Sequence, residues 1–399
     1  MQADLGLSDT AYGLGAGLFF IGYFFFEVPS NVLLRRFGAR VWIARIMMLW
    51  GLVSSAMMFA RSDTSFYALR FLLGIAEAGF FPGIILYLTF WYTRQHRARM
   101  VATFMTAIPV AGVFGGPVSG WIMQQMGGVG GLRNWEWLYL IEGVPSVLVG
   151  LLVLVSLDDG PERAAWLSDD QKALLAERLA EEEALKRAEG HGLHTVGDAF
   201  RSPRVWLCAA IYFAIVMGNY GLTFWLPQII SESIGADPWQ VGLVSTIPWG
   251  VGAVTMVAVG RSSDRRRERR WHVAAPAVVG AVAFAASGLP GVTGWTGIAW
   301  LTVATGGTMA AMACFWAIPT RVLSGAAAAA GIAWINSLGN LSGYCSPMLV
   351  GLVRDATRDA AHPNGNMTLA LAALAASLAV GGVLTVLVTR EPGAAAGRE

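Results

Sequence analysis

The chain has 399 residues, of which 55% are hydrophobic and only 14% charged, against about a quarter charged in soluble domains, so the composition excludes an ordinary water-soluble fold and points to a lipid bilayer. A formal net charge of +2 is too near zero for a nucleic-acid partner. Cys208, Cys314 and Cys345 all fall inside hydrophobic runs, which leaves neither a disulfide framework nor a metal site.

A helix that crosses the hydrocarbon needs about 20 consecutive apolar residues, and the chain offers that length repeatedly. Spans are predicted at 10–34, 41–60, 66–91, 101–125 and 135–157, and, after a long polar stretch, at 204–230, 239–260, 272–290, 296–319, 324–352 and 367–389. The chain reads as an all-α polytopic membrane protein of about eleven helices: a bundle over 1–157, a linker over 158–203 and a second bundle over 204–399. Met1 to Asp9 carries no basic stretch ahead of an apolar run and does not read as a signal peptide. In the linker, Ser168 with Gln171 makes a capping-box pattern, and Glu182 with Lys186 and Glu183 with Arg187 stand at ion-pair spacing, so a solvated helix is expected there.

Positive charge sorts the loops. One side carries Arg35, Arg36 and Arg40, then Arg94, Arg97 and Arg99, the linker, the 261–270 cluster, Arg321 and the tail; the other has only Arg61, Arg133, Arg354 and Arg358. The rich side is expected in the cytoplasm, with the linker and the C-terminus, and the N-terminus outside, in a cell inner membrane. The halves read as repeats out of step by one helix: two spans precede the arginine loop at 260–267, only one precedes the loop at 35–40. A first helix is therefore expected to be missing from this chain.

Ionisable groups inside the spans are few: Glu27, Arg70, Glu77 and Glu142, with Arg45 at an end. Each costs about 2.5 to 3.5 kcal/mol on insertion scales and so invites a functional reading. Arg70 and Glu77 are two helical turns apart, about 10.5 Å along one face, and can look into one cavity. A guanidinium fork binds a carboxylate bidentately, and a desolvated carboxyl can exchange a proton, which is the minimal equipment of an anion and proton symporter. The structural alternative has Arg70 snorkelling to the surface and Glu77 tying helices together. Tyr23 in the first span, Asn219 and Tyr220 in the sixth, and Asn336 and Asn340 in the tenth supply hydroxyls and amides suited to a polyhydroxy acid. Glu27, next to Pro29, is expected to join a gate network with loop arginines, and Glu142 to be structural. Gly112, Gly116 and Gly120, with Pro109 and Pro117, allow close contact and bending of the fourth span.

Several chemistries are missing. Neither Lys172 nor Lys186 sits in a Gly-x-x-x-x-Gly-Lys-Ser/Thr loop for ATP, and none of the five histidines stands at metal spacing. No Ser- or Cys-based hydrolase constellation is found, and no ring of like charges that would make a channel filter. The chain is expected to be a carrier without cofactor, driven by a gradient, and not an enzyme.

The loop Gly260-Arg-Ser-Ser-Asp264-Arg265 resembles the major facilitator superfamily signature Gly-x-x-x-Asp-Arg-x-Gly-Arg-Arg, and the first-half copy departs from it, with Asn31 and Arg35 at the Gly and Asp positions. Arg70-x-x-x-Gly74 and Gly112-x-x-x-Gly116-Pro117-x-x-Gly120 agree with the same superfamily. More narrowly, Phe20-Ile-Gly-Tyr23-Phe-Phe-Phe-Glu27-Val-Pro29-Ser30-Asn31 and Arg70-Phe-Leu-Leu-Gly74-Ile-Ala-Glu77-Ala-Gly-Phe-Phe-Pro82-Gly look like the anion:cation symporter family. Gly38-Ala-Arg-Val-Trp-Ile-Ala-Arg and Trp316-Ala-Ile-Pro-Thr-Arg321 bring it nearest the bacterial tartrate transporter group. The resemblance implies two six-helix pseudo-repeats, alternating access, and proton symport of a small organic anion such as tartrate or a sugar acid by a monomer in the bilayer. An aromatic carboxylate carrier and a non-transporting sensor on the same scaffold are the alternatives. It also implies proton coupling at Glu77, substrate contact at Arg70, Tyr23 and Asn336, and gating by Arg36, Arg40, Asp264 and Arg265. The family's other Asp and Arg pair lies on the first helix, the one expected to be missing here.

Overall fold

The computed structural model describes every residue except 94–99, 102, 189–200, 320–324, 359–364 and 389–399; Arg94, Arg97, Arg99, Arg321 and the C-terminal tail lie outside the described residues. Among the described residues the chain is helical throughout, with no strand. The first half holds α1 (Asp9–Phe37), α2 (Ala39–Ala56), α3 (Asp63–Glu77), α4 (Phe80–Trp91), α5 (Ala107–Gln125) and α6 (Asn134–Ser156). The linker helix α7 (Asp169–Ala188) follows, and Ser168 and Gln171 cap it reciprocally. The second half holds α8 (Pro203–Ile234), α9 (Pro238–Arg266), α10 (Arg270–Ser287), α11 (Gly294–Phe315), α12 (Gly325–Asn340), α13 (Ser342–Ala356) and α14 (Thr368–Val388).

Nine helices among the described residues are long and apolar enough to cross a membrane, with α3 and α4 counted together. The other two expected spans are also helical: α10 opens on the polar Arg270-Trp271-His272, and α12–α13 is divided at Leu341. Two expected continuous spans are thus broken. Between α3 and α4, Ala78 is extended and Gly79 takes φ +87°, a conformation that excludes most side chains, and Pro82 follows in the first turn of α4 without an amide to donate.

Within the first half α1 packs on α3 and α2 on α6; within the second, α10 packs on α11 and α14, and α8 on α11 to α14. The halves meet along two seams, α1 with α13 and α5 with α9. Small residues set the closeness of both: a methyl on Gly120 would stand 2.5 Å from the Pro238 carbonyl oxygen, and one on Gly13 would stand 2.6 Å from that of Pro347. Large apolar side chains such as Phe114, Leu152 and Val155 point outward, as a lipid-facing surface requires. One end of the bundle, where α1 begins, is called the Asp9 face below; the other, with the arginine loops, is the arginine face.

Candidate functional site

The break between α3 and α4 places Glu77 at the last residue of α3, with Arg70 two turns earlier. Both are only partly buried. No ion pair joins them, and Glu77 feels the Arg70 charge without a direct contact. The Arg70 guanidinium rests 5.9 Å from the Phe66 ring, and its buried Nε has no hydrogen-bond partner. A buried guanidinium N–H without an acceptor is a place for an anionic oxygen.

The polar residues expected to meet a polyhydroxy acid divide into groups. Tyr220 Oη donates to Asn340 Oδ1 at 3.0 Å, beside the division of α12 from α13, and its ring meets Phe20 at 4.5 Å. Asn219 is buried, and its Oδ1 accepts from no protein group. Tyr23 is buried against Phe19. Asn336 is engaged elsewhere: its Nδ2 donates to Glu27 Oε1 at 2.7 Å, and Ser337 Oγ donates to Glu27 Oε2 at 2.6 Å. Among the described residues Glu27 meets no loop arginine, contrary to expectation; it is wholly enclosed, and its partners there are neutral donors of α12. Glu142 accepts from Ser119 Oγ and ties α6 to α5.

Above the site, the Asp9 face is closed by a network that the sequence does not announce. The Tyr12 ring stacks on Phe66 and meets Trp225 edge-on, and the Arg354 guanidinium lies 5.2 Å from Trp225. Arg354, only 1% exposed, reaches Glu232 at 2.7 Å and Asp9 at 3.2 Å, and Arg358 reaches Asp9 at 2.6 Å. The Thr10 amide donates to Asp355 at 2.8 Å. From outside inward the order is thus ions, aromatic rings, Arg70 and Glu77. Four-residue spacing of Arg354 and Arg358 in an otherwise arginine-poor set of loops was the only signal for it.

The arrangement is a bundle of apolar helices in two halves that carries Arg70 and Glu77 on one helix. The sequence pattern of the Major Facilitator Superfamily matches residues 1–347. The chain belongs to that superfamily. A candidate tartrate transporter of Agrobacterium vitis is 45% identical over 394 residues, 98% of this chain and 87% of that protein. A candidate metabolite transport protein of Pseudomonas putida, NicT, is 44% identical over 357 residues, covering 90% and 81%. A crystal structure of a bacterial homologue of the human lysosomal transporter Spinster, inward-facing and unoccupied, matches with a TM-score of 0.66 at 18% identity, over 96% of this chain and 88% of that one; it shows the shared fold. As a major facilitator protein the chain is a multi-pass membrane transporter and not an enzyme.

The superfamily loops at the arginine face are built unequally. In the first, Gly38 takes φ +88°, and the Arg40 main-chain amide donates to Asp159 at 2.9 Å, while the Arg36 and Arg40 side chains are exposed. In the second, Asp264 pairs with Arg269 at 2.6 Å, and Arg265 is exposed. Next to it Ser262 Oγ lies 3.0 Å from His272 Nε2, and His272 Nδ1 lies 2.6 Å from Glu268 Oε2. No such constellation is legible in the sequence, because its members stand on two helices and the turn between them. It lacks what a hydrolase needs: Ser262 sits inside α9, where neighbouring amides are spent on the helix and cannot hold an oxyanion. The arrangement ties α9 to α10. Burial alone would raise the Glu268 carboxyl, but the Trp271 amide and His272 outweigh it and hold it below the ordinary value.

Proposed function

We propose that this transporter takes up a small organic anion of the tartrate or sugar-acid class, driven by protons, by alternating access of the halves 1–157 and 204–399 about the space lined by Arg70 and Glu77. The observation that carries the reading is the pair itself: a guanidinium with an unmet N–H and, two turns on at the end of the same helix, a carboxyl, unpaired with each other. Arg70 would receive the substrate carboxylate, and Glu77 the proton. Asn219, Tyr220 and Asn340 would meet the hydroxyls, with Tyr23 and Asn336 in the cavity wall. The transport halves turn about their two seams, the Asp9-face network closing one side and the loops of Arg36, Arg40, Asp264 and Arg265 the other. The name of the Agrobacterium vitis relative supports the substrate class. The arginine face would lie in the cytoplasm of an inner membrane, with the linker and the C-terminus, and the unit would be a monomer.

A second substrate reading, an aromatic carboxylate such as phthalate, is favoured by the rings of Phe20, Tyr220 and Phe224 beside the polar groups. The two separate in exchange assays on proteoliposomes loaded with tartrate, a sugar acid or phthalate. Tartrate or sugar-acid exchange is expected, and Arg70→Lys should weaken it about tenfold or more, since one charge-assisted hydrogen bond is worth about 1.5–3 kcal/mol and an ammonium cannot copy the fork. Exchange of phthalate alone would favour the second reading; unaltered affinity in Arg70→Lys would remove Arg70 from the site.

A further inference from the structure

We propose that Glu27 is a second proton-binding site, separate from Glu77, which sets how fast the two halves part and rejoin; this rests on the transport reading above. Glu27 belongs to α1, and both side-chain donors to its carboxyl, Asn336 Nδ2 at 2.7 Å and Ser337 Oγ at 2.6 Å, belong to α12. Among the described residues its side-chain hydrogen bonds therefore all cross between the halves. The carboxyl has no exposed surface, and no cation among the described residues acts on it. The titratable groups its charge acts on are phenols, Tyr23 on its own helix and Tyr212 and Tyr220 on α8. Glu77 of α3 acts on Tyr23 from another side, and no charged group of α2, α4 or α13 acts on Glu27.

An ionised carboxylate in an apolar interior is costly unless donors or a cation satisfy it. With α12 seated on α1, the two donors hold the ionised form. When the halves part, both donors leave together. The carboxylate then takes a proton from water admitted by the opening, and gives it back when α12 returns. Ser337 suits both states, because a hydroxyl can donate to a carboxylate or accept from a carboxylic acid, while the Asn336 amide donates to Oε1 in either. Acid should thus ease the parting of the halves with substrate bound or absent. This differs from Glu77, whose proton is linked to anion occupancy through Arg70.

The test is the rate of tartrate exchange, at equal pH on both sides of proteoliposomes, followed across pH. The parent should speed up as pH falls, and Glu27→Gln should flatten that rise. Ser337→Ala keeps the carboxyl but removes one donor to its ionised form, so its midpoint should move to more alkaline pH. A merely structural carboxyl would leave the midpoint where it is. Profiles of both variants matching the parent overturn the proposal; if Glu27→Gln supports no exchange, an unmoved Ser337→Ala midpoint overturns it alone. Accumulation under an imposed pH gradient reads the other claim: its absence in the parent would sink the proton-driven reading, whereas a changed exchange profile with accumulation intact is the result particular to Glu27.

Discussion

At the scale of single residues, Arg70 and Glu77 could be singled out from sequence because a charge inside a span is costly and helical period puts both on one face. Glu27 was legible as buried and important, but its partners were not. Its neighbours in sequence are the arginines of the loop, whereas its partners in space stand 309 and 310 residues away. Asp355 shows the same gap and carries a pH prediction. Burial alone would raise its carboxyl, but Thr10, through hydroxyl and amide, and Arg358 outweigh it and hold it below the ordinary aspartate value. A carboxyl that binds its proton less tightly when folded adds stability above its unfolded value of about 3.9, and that contribution is lost as pH falls through the lower folded value. Thermal melting of the parent and of Asp355→Asn should therefore differ near neutral pH and converge below about pH 4. A difference that persists in stronger acid would mean the stabilisation is not the ionised carboxylate's.

At the scale of elements, eleven hydrophobic runs were readable by length, and helices occupy all of them. The breaks were not. Gly79 stands in a run rich in glycine and aromatic residues, and nothing local says that its φ is +87° and that Glu77 therefore ends a helix. That break matters because half-helix ends inside a transporter face its cavity. The Asp9-face network was unreadable for another reason: it joins α1, α8 and α13, whose residues meet only once the halves are assembled. Arg354→Ala would take the shared cation from Asp9, which keeps Arg358, and from the partly exposed Glu232, so the cost should lie below the ~3–5 kcal/mol of a fully buried pair broken on one side. Lower thermal stability and faster labelling of a cysteine placed at Trp225 by an aqueous thiol reagent are expected. Unchanged labelling would show that the rings beneath, and not the ions, close this face.

At the scale of the whole molecule, the helical major facilitator fold was legible in outline, because spans are long apolar runs and repeats leave similar loops. What the cargo is was not, since the proposed set of Arg, Glu, amides and phenols fits several acids. The coupling is the central claim, and it depends on Glu77 holding a proton that responds to an anion on Arg70. The direct measurement is uptake of labelled tartrate into proteoliposomes under an imposed pH gradient, acid outside, for the parent and for Glu77→Gln, with exchange followed in the same vesicles. The parent should concentrate tartrate and lose that gain when an uncoupler collapses the gradient, and Glu77→Gln, fixed in the neutral form, should exchange tartrate without concentrating it. Accumulation by Glu77→Gln equal to the parent's, or parental uptake indifferent to the uncoupler, would contradict the account.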